Sequence, residues 1–562
     1  MKARHRTGGV LAAALLAVTA GCGGSGNEAR PPGGGPGAVP LISTNDLPAA
    51  RPGEVHLFGI NDLHGNLQPP DGGSGRVGAY QAGGAAYLAA HLARLKAAYP
   101  GSAVLAAGDN VGASPLVSAL FHDEPTVGVL NAMGTAASAV GNHELDDGIP
   151  ELLRLQHGGC AWEGCAPGQP FTGAEFPYLA ANVTDDFGQL PPGLRPWTMV
   201  EAGGHRIGVI GTVTPETPTI VMPEGIRGYT FGDEVDAINK YVPQMRAAGA
   251  ETVVALVHDG GAQRTHGAPA DYNGCADITP DVAELAERTD PAVRVLLTAH
   301  SHQAYNCTIA GKVVTQAASY GRLITDITLR FHDGTVDAGA VNRVVTRDVA
   351  PDPAVAGLVD FFAAQARPRA DRVIGNATAP LPNEPDAAGD SPLGNLIADA
   401  MLAAMGPDQA VAAFMNPGGV RADLSGGAIT YEQAYTVQPF GNQVVTVLLT
   451  GRQILTLLEQ QWDNPNKPGV LSVAGITYAY SESAPAGHKV VSDSVRIGGA
   501  PLNPVAAYPV STNNFLASGG DGFSVFTQGG RAAVGPTDLD ALESYLRTRG
   551  AVEPPTGRIE RR

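Results

Sequence analysis

Five short apolar segments between residues 55 and 299 are each followed by a polar motif that could bind a metal ion. Their length and their content of Val, Ile, Leu and Ala are typical of buried parallel strands. Because ligands bind beyond the carboxyl ends of such strands, the polar motifs are expected to meet in one crevice. The segments and motifs are VHLFGIN with Asp62 and His64, AVLAAG with Asp109, ASAVG with Asn142 and His143, TVVALV with His258, and VRVLLTA with His300 and His302.

Helical spacing alternates with these strands. From Glu54 to about Val345 this alternation predicts an α/β domain. Later segments of the same region are rich in β-branched residues and are predicted to be antiparallel strands. The predicted helices are Ala85–Ala98, Asp233–Ala247 and Ala283–Arg288, and the predicted antiparallel strands are Lys312–Gln316 and Leu323–Phe331.

A chain of 562 residues is too long for one hydrophobic core, so at least two domains are expected. The Gly/Pro-rich composition of residues 22–52 predicts a flexible tether before a first domain at 53–347. Helical spacing over Asp352–Ala370 predicts a bridging helix within 348–375. A second domain is expected at 376–548, with helices at Leu393–Ala404 and Gly451–Gln461, followed by a C-terminal tail at 549–562.

The first 21 residues are predicted to be an export signal. Three basic residues precede an apolar stretch from Val10 to Ala20 that is too short to span a bilayer. The stretch ends in Thr-Ala-Gly-Cys, which resembles a bacterial lipobox, so Cys22 is the predicted lipidation site. The protein would then be attached to the outer face of the cell membrane by its lipid alone. Ordinary secretory cleavage near Ala20, with a free Cys22 and a secreted or periplasmic product, is the alternative.

Four further cysteines remain in this exported chain and suggest two disulfides. The expected pairs are Cys160–Cys165, which closes a tight loop, and Cys275–Cys307. The chain has no CxxC zinc knuckle.

The formal net charge is −18. An acidic chain is a poor partner for nucleic-acid polymers or anionic membranes, because it has no basic face to replace counterions. A small anionic substrate is still possible, since bound dications reverse the local field.

The motifs have the chemistry of a metal site. Residues two apart on an extended chain point the same way, so Asp62 and His64 can bind one ion. The two carboxylate oxygens of Asp109 can bridge two ions, and Asn142 offers a carbonyl oxygen. Oxygen and imidazole ligands without thiolate suit zinc, manganese or similar divalent ions.

The quoted motifs also support a family resemblance. GINDLHGNL, AAGDNVGASP, VGNHELDDG, ALVHDGG and TAHSHQ resemble the calcineurin-like metallophosphoesterases, closest to the secreted bacterial 5'-nucleotidase / UDP-sugar hydrolase / 2',3'-cyclic phosphodiesterase family. SPLGNLIADAM, NPGGVRADL, QPFGNQV and NNFLASGGDGF resemble that family's C-terminal domain. The resemblance implies a four-layer αββα sandwich followed by a separate α+β nucleotide-binding domain.

The resemblance also implies two divalent ions bound by seven side chains. Asp62, His64, Asp109 and His302 would bind the first ion, and Asp109, Asn142, His258 and His300 the second; many relatives have Gln in place of His302. His143 resembles the catalytic histidine and Asp146 the carboxylate that orients it. Asp147 competes for that second role, and Glu144 is expected to be structural.

For the second domain, the resemblance implies nucleoside contacts. Phe440 and Phe515 would stack on the base, and Asn416 would contact it. Asp521 would accept from the ribose hydroxyls, and Arg421 would bind phosphate or ribose. Relatives often carry another arginine just before the segment that matches SPLGN, whereas this chain has Ala387-Ala388-Gly389-Asp390.

The expected function is metal-dependent hydrolysis of extracellular 5'-nucleoside monophosphates to nucleoside and phosphate, for scavenging, with a hydroxide activated by the two metals. A cyclic-nucleotide phosphodiesterase or a UDP-sugar or NAD pyrophosphatase with the same centre is the enzymatic alternative. A thiosulfohydrolase shares the architecture, but no feature of the chain points to one. A surface nucleotide-binding lipoprotein would not need all seven ligands and His143. The sequence does not define the oligomeric state.

Overall fold

Two six-stranded sheets pack face to face in the N-terminal half of the computed structural model, which describes residues 41–45, 47–49, 51–161, 164, 170–264, 271–406, 410–464 and 468–562. The first sheet has the order Thr335–Val344, Leu323–His332, Glu54–Ile60, Ala103–Ala106, Thr135–Ala139 and Tyr178–Leu179. The second has the order Ala304–Ile309, Lys312–Ala317, Val293–Thr298, Thr252–His258, His205–Val213 and Trp197–Ala202.

The central strands of both sheets are apolar on both faces because each sheet is covered on both sides. Between the sheets, Leu57 and Leu105 of the first pack with Leu256 and Leu297 of the second. Alternate residues of the same strands, such as Phe58, point to the opposite face. Period-two alternation therefore divides each strand between two apolar layers.

Helices cover the two outer faces of the sandwich. Helix Ala85–Ala98 packs against the outer face of the first sheet through Leu88 and Leu92. Helices Glu234–Ala247 and Pro280–Arg288 cover the second sheet through Ile238 and Val282. The four-layer αββα arrangement is therefore confirmed. The other helices of this half are Leu116–Ala119, Glu124–Ala132, Ile149–His157 and Thr217–Ile220.

An 18-residue helix, Pro353–Ala370, connects the two halves, as predicted. Asp352 caps it by accepting hydrogen bonds from the backbone N–H groups of Ala354 and Val355. The following α+β half contains a five-stranded sheet and its own cores. The order of that sheet is Ser472–Ala474, Ala412–Met415, Ala507–Asn513, Gln443–Thr450 and Gly530–Thr537, and the helices are Pro392–Met405, Tyr431–Val437, Gly451–Gln460, Asn514–Ala517 and Asp538–Arg549.

Smaller sheets complete the structure and include the last residues of the chain. Residues 549–562, assigned to a tail from the sequence, contribute strands Ala551–Val552 and Ile559–Arg561, which pair with Val373–Ala377 and Ile476–Tyr480. The remaining short strands are Arg76–Val77, Tyr80–Gln81, Val183–Asp185, Tyr229–Phe231, Gly427–Thr430, Arg496–Ile497 and Ala500–Pro501.

Two further details differ from the sequence prediction. The segment predicted as a tether already contacts the first domain near its end, since the Ile42 carbonyl accepts from Val344 N–H and buried Thr44 bonds His91. Strand Lys312–Ala317 lies between two strands and is antiparallel to Ala304–Ile309 but parallel to Val293–Thr298.

The cysteine and membrane predictions are only partly within the described residues. Cys275 and Cys307 form a disulfide with a Cα–Cα distance of 5.1 Å. Cys22, the signal segment and Cys165 lie outside the described residues. Within the part of the chain that is described, no helix combines the length and apolar content needed to cross a bilayer.

Candidate active site

The predicted metal ligands come together at one edge of the sandwich, where strands of both sheets end. Asp62, His64, Asp109 and Asn142 follow strands of the first sheet. His258, His300 and His302 end or follow strands of the second. The crevice expected from the sequence is thus shared by two sheets.

Ligand atoms in this crevice lie close enough to share ions. Asp109 is central, because its Oδ2 lies 3.6 Å from His64 Nε2 and 3.1 Å from His258 Nε2. Three groups have all their ligand atoms within 4.8 Å of one another: Asp62, His64 and His302; His64, Asp109 and His143; and Asp109, His258 and His300. Asn142 Oδ1 lies 3.2 Å from His258 Nε2 and completes the predicted set.

Two of the histidines are oriented by backbone carbonyls. His64 Nδ1 lies 2.9 Å from the Gly112 carbonyl, and His258 Nδ1 lies 2.8 Å from the Ala107 carbonyl. A carbonyl only accepts, so Nδ1 carries a proton in both rings and Nε2 is the nitrogen that faces the centre. Such outer partners are typical of histidines that bind metals.

Backbone strain is concentrated at these ligands. Asp62, His64, Asp109, His300 and His302 all have φ between 46° and 67°, a region that non-glycine residues rarely adopt. Each of these backbone conformations costs free energy and persists only where the surrounding structure enforces it, as at functional sites.

Two buried polar residues enforce these loop conformations. Glu144 accepts hydrogen bonds from the backbone N–H groups of Asp109, Asn110 and Gly141 at 2.6–2.8 Å. Asn61 accepts from Ala317 N–H and donates to the Asp62 carboxylate. The structural role expected for Glu144 fits these contacts.

The electrostatics of the crevice fit bound dications. Burial raises the pKa of Asp62 to about 7. Burial lowers the pKa of His64 and His302 well below the usual range, so both imidazoles are neutral and can offer a nitrogen lone pair to a metal ion. Burial lowers the pKa of His258, but the carboxylates of Asp109, Asp62 and Glu144 together outweigh it and raise the value to about 10. A dication could replace the proton that His258 carries. Oxygen and imidazole donors without thiolate suit zinc or manganese.

Beside the ligands, His143 and Asp146 form a hydrogen-bonded pair. His143 Nδ1 lies 2.9 and 3.1 Å from the two Asp146 carboxylate oxygens. Burial lowers the pKa of His143, but the carboxylates of Asp146 and Asp109 outweigh it, so the net shift is upward. The pair fits tightly against Gly112 (φ 78°), where an added Cβ would lie 2.3 Å from the His143 carbonyl oxygen.

Side chains of the second domain lie above this centre. The Phe440 ring stacks on the His143 imidazole, with centroids 5.6 Å apart and 20° between the planes. Arg421 lies 5.9 Å from the centroid of Phe440. Its positive charge also adds to the effect of burial in lowering the pKa of His64 and His302. Both residues therefore lie close to the metal ligands.

The other predicted nucleoside contacts lie in adjoining loops. Phe515 is half-buried, and one ring face is covered by Gly520, where an added Cβ would lie 2.5 Å away. Asn416 is buried, and the base contact predicted for it stays a prediction. Its amide donates to Asp521 at 2.8 Å and accepts from Asn513 at 3.0 Å, so it holds Asp521 in place.

Three residues near the site were missed by sequence reasoning. Asn61 directly precedes Asp62, and Asn513 lies two residues before Phe515. Their position as polar residues at the ends of strands could have identified them. Tyr320 lies against His64 and His302, with ring centroids 6.1 and 5.5 Å away. It follows no metal-binding motif and could not be found from spacing.

Comparisons with known proteins agree with this geometry. Residues 56–304 match the family model of the calcineurin-like phosphoesterases, and residues 373–528 match that of the 5'-nucleotidase C-terminal domain. Endonuclease YhcR of Bacillus subtilis is 32% identical over 88% of this chain and 40% of its own length. Cell wall protein Lmo0130 of Listeria monocytogenes is 31% identical over 91% of this chain and 69% of its own length.

A solved structure is similar over nearly the whole chain. The 5'-nucleotidase precursor from Thermus thermophilus superimposes with a TM-score of 0.76 and 29% identity, over 90% of this chain and 99% of that one. The family's chemistry uses two divalent metals, and the candidate clusters have the donors for them. The chain belongs to the 5'-nucleotidase family, in which a calcineurin-like phosphoesterase domain precedes a 5'-nucleotidase C-terminal domain.

Proposed function

We propose that this protein hydrolyses extracellular 5'-nucleoside monophosphates to nucleoside and phosphate with two divalent ions. The observation that carries the proposal is the position of Phe440 and Arg421, which the second domain places directly over the ligand cluster. An aromatic ring and a guanidinium next to a two-metal site provide a contact for a flat nucleoside and one for its phosphate.

The proposed ligand sets are those expected from the sequence. Asp62, His64, Asp109 and His302 would hold one ion, and Asp109, Asn142, His258 and His300 the other. Two ions so placed would neutralise the phosphate oxygens and supply a nucleophile at neutral pH.

The remaining groups act on the substrate. His143, held by Asp146 and with its pKa raised by the Asp146 and Asp109 carboxylates against the effect of burial, donates a hydrogen bond to the phosphate or to the leaving ribose oxygen. Asp146, whose carboxylate accepts from Nδ1, fixes the ring so that Nε2 faces the reacting atoms. Asp147 is exposed beside it, and we assign it no part in orienting the ring.

Base recognition in this proposal relies on stacking. Phe440 and Phe515 hold the base through their ring faces, a contact that tolerates any base. Asp521, positioned by Asn416, accepts from the ribose hydroxyls.

We further propose that the protein acts outside the cell, attached by a lipid on Cys22. One relative is named a cell wall protein, which supports a cell-surface location. Mass spectrometry of the membrane-associated protein would test this, because Cys22 must carry the lipid and become the first residue. An intact free thiol at Cys22 would contradict the anchor.

One observation favours a second candidate, hydrolysis of phosphodiesters. The segment before Ser391 has no arginine, and Asp390 is buried, accepting from the backbone N–H groups of Gly557 and Arg558. With Arg421 as the cation from this domain, a singly charged diester needs less neutralisation than a phosphomonoester dianion. A relative's name, endonuclease, also denotes diester cleavage.

Chromatographic separation of the products tests both candidates, because a monoester gives nucleoside and phosphate whereas a diester gives a nucleoside monophosphate. The purified protein would be assayed with AMP, 2',3'-cAMP, UDP-glucose, NAD and an aryl phosphate, each with manganese or zinc and with a chelator. We expect metal-dependent hydrolysis with AMP as the best substrate. A higher kcat/KM for 2',3'-cAMP would favour the diester candidate. Nucleotide binding without turnover in any metal would contradict both.

A further inference from the structure

Tyr320 contacts all three members of one ligand cluster. Its ring meets the imidazoles of His64 and His302 edge-on, with interplanar angles of 65° and 74°. Its backbone N–H donates to the Asp62 carbonyl at 2.7 Å. A single residue therefore contacts the backbone of Asp62 and the side chains of His64 and His302.

His302 is the member of this cluster that most needs such support. His64 and His258 are almost fully buried and are fixed by carbonyls at Nδ1. His302 is 25% exposed, and its polar contacts within the described chain are through Nε2, to His64 and Asp62. Among the described residues, no carbonyl comparable to that of Gly112 accepts from this ring and fixes its rotation. Two ring contacts limit it, the His64 imidazole at 5.0 Å and Tyr320 at 5.5 Å between centroids, and of these Tyr320 is the one that is not itself a predicted ligand.

Tyr320 is itself held rigidly. Its φ of 61° lies in the left-handed region, which a bulky residue adopts only when the surroundings enforce it. The guanidinium of Arg322 lies 5.4 Å from its ring centroid and is anchored by the carbonyl and hydroxyl of Ser319. The strained backbone and the Arg322 contact therefore hold the Tyr320 ring in one position.

We propose that Tyr320 is a positioning residue that holds the His302 imidazole in the orientation that binds one of the two ions. The ring replaces the hydrogen bond that fixes His64 and His258. Its aromatic edge does this, so the hydroxyl is not required. This inference rests on the two-metal centre of the proposed function.

Calorimetric titration of the metal-free protein with manganese tests it. The parent should bind two ions. Tyr320→Phe should bind both within about twofold of the parent affinity. Tyr320→Asn, chosen because Asn tolerates a positive φ, should bind one ion at least about tenfold more weakly, the usual effect of losing an outer partner. Tyr241→Ala, a half-buried tyrosine on helix Glu234–Ala247, is the control and should match the parent.

A double-variant comparison separates positioning from general loosening. In a His302→Ala background the ligand is already gone, so Tyr320→Asn should have no further effect on the remaining ion. If Tyr320→Asn does not fold, as judged by its melting curve, Tyr320→Leu keeps the bulk without the aromatic edge and should show the same loss.

Three results would overturn the inference. These are parent-like affinity for both ions in Tyr320→Asn or Tyr320→Leu, a loss in Tyr320→Phe as large as in Tyr320→Asn, or an undiminished effect in the His302→Ala background. If the parent itself bound fewer than two ions, the proposed function would fail instead.

Discussion

Replacing Asp146 by Asn tests the proposed role of the carboxylate beside His143. Asn can still accept the Nδ1 hydrogen bond, now 2.9 Å long, but it loses the negative charge. Hydrogen bonds to charged groups contribute about 1.5–3 kcal/mol and neutral ones about 0.5–1.5 kcal/mol. Because the Asp146 side chain is 23% exposed, solvent screening argues for a difference of about 1–2 kcal/mol. At 1.36 kcal/mol per tenfold in rate, this gives about a 5- to 30-fold lower kcat.

Steady-state hydrolysis of AMP at saturating manganese would measure this change. We expect Asp146→Asn to lower kcat with little change in KM and with two ions still bound, because Asp146 is not a proposed ligand. Asp147→Asn is the matched control and should stay within about twofold of the parent. The reasoning is refuted if Asp146→Asn keeps the parent kcat or if Asp147→Asn is the more damaging change.

Four other changes give distinct expected outcomes. Asp109→Ala should lose both bound metal, seen by elemental analysis, and turnover; retention of two ions would exclude a bridging role. Phe440→Ala should raise KM for AMP about 5- to 160-fold, since stacking contributes roughly 1–3 kcal/mol, and an unchanged KM would contradict it. The Cys275→Ser/Cys307→Ser variant, which opens a loop with a separation of 32 residues, should unfold in urea with about 3–4 kcal/mol less stability. Burial raises the pKa of Asp538 from 3.8 to about 7, so the native state binds the extra proton and the free energy of unfolding should fall as pH rises across that range; Asp538→Asn should flatten the profile.

The strands and their motifs were predictable because local pattern determined them. Glu54–Ile60 and Thr252–His258 are apolar on both faces, and their composition alone indicates buried strands. Helix Ala85–Ala98 was predicted with its observed bounds. Because five metal-binding motifs follow strands, a shared crevice could be predicted without knowing the order of the strands.

Features set by tertiary contacts could not be predicted. The hydrophobic pattern does not show that the strands divide between two sheets, since both sheets have equally apolar strands, and only the family resemblance implied that division. Asn416 stands in a Gly-rich loop that suggested a ligand contact, and only the fold reveals that its amide also bonds Asp521 and Asn513. Strand Ile559–Arg561 is too short and polar to be recognised before its partner Ile476–Tyr480 is known.

The central claim is that two ions bind across the junction of the two sheets, with Asp109 between them. Anomalous diffraction at the manganese edge, from crystals grown with manganese, measures this directly. The account predicts two peaks about 3.5–4 Å apart, each within bonding distance of an Asp109 carboxylate oxygen. A single peak, or two peaks that Asp109 does not bridge, would contradict it.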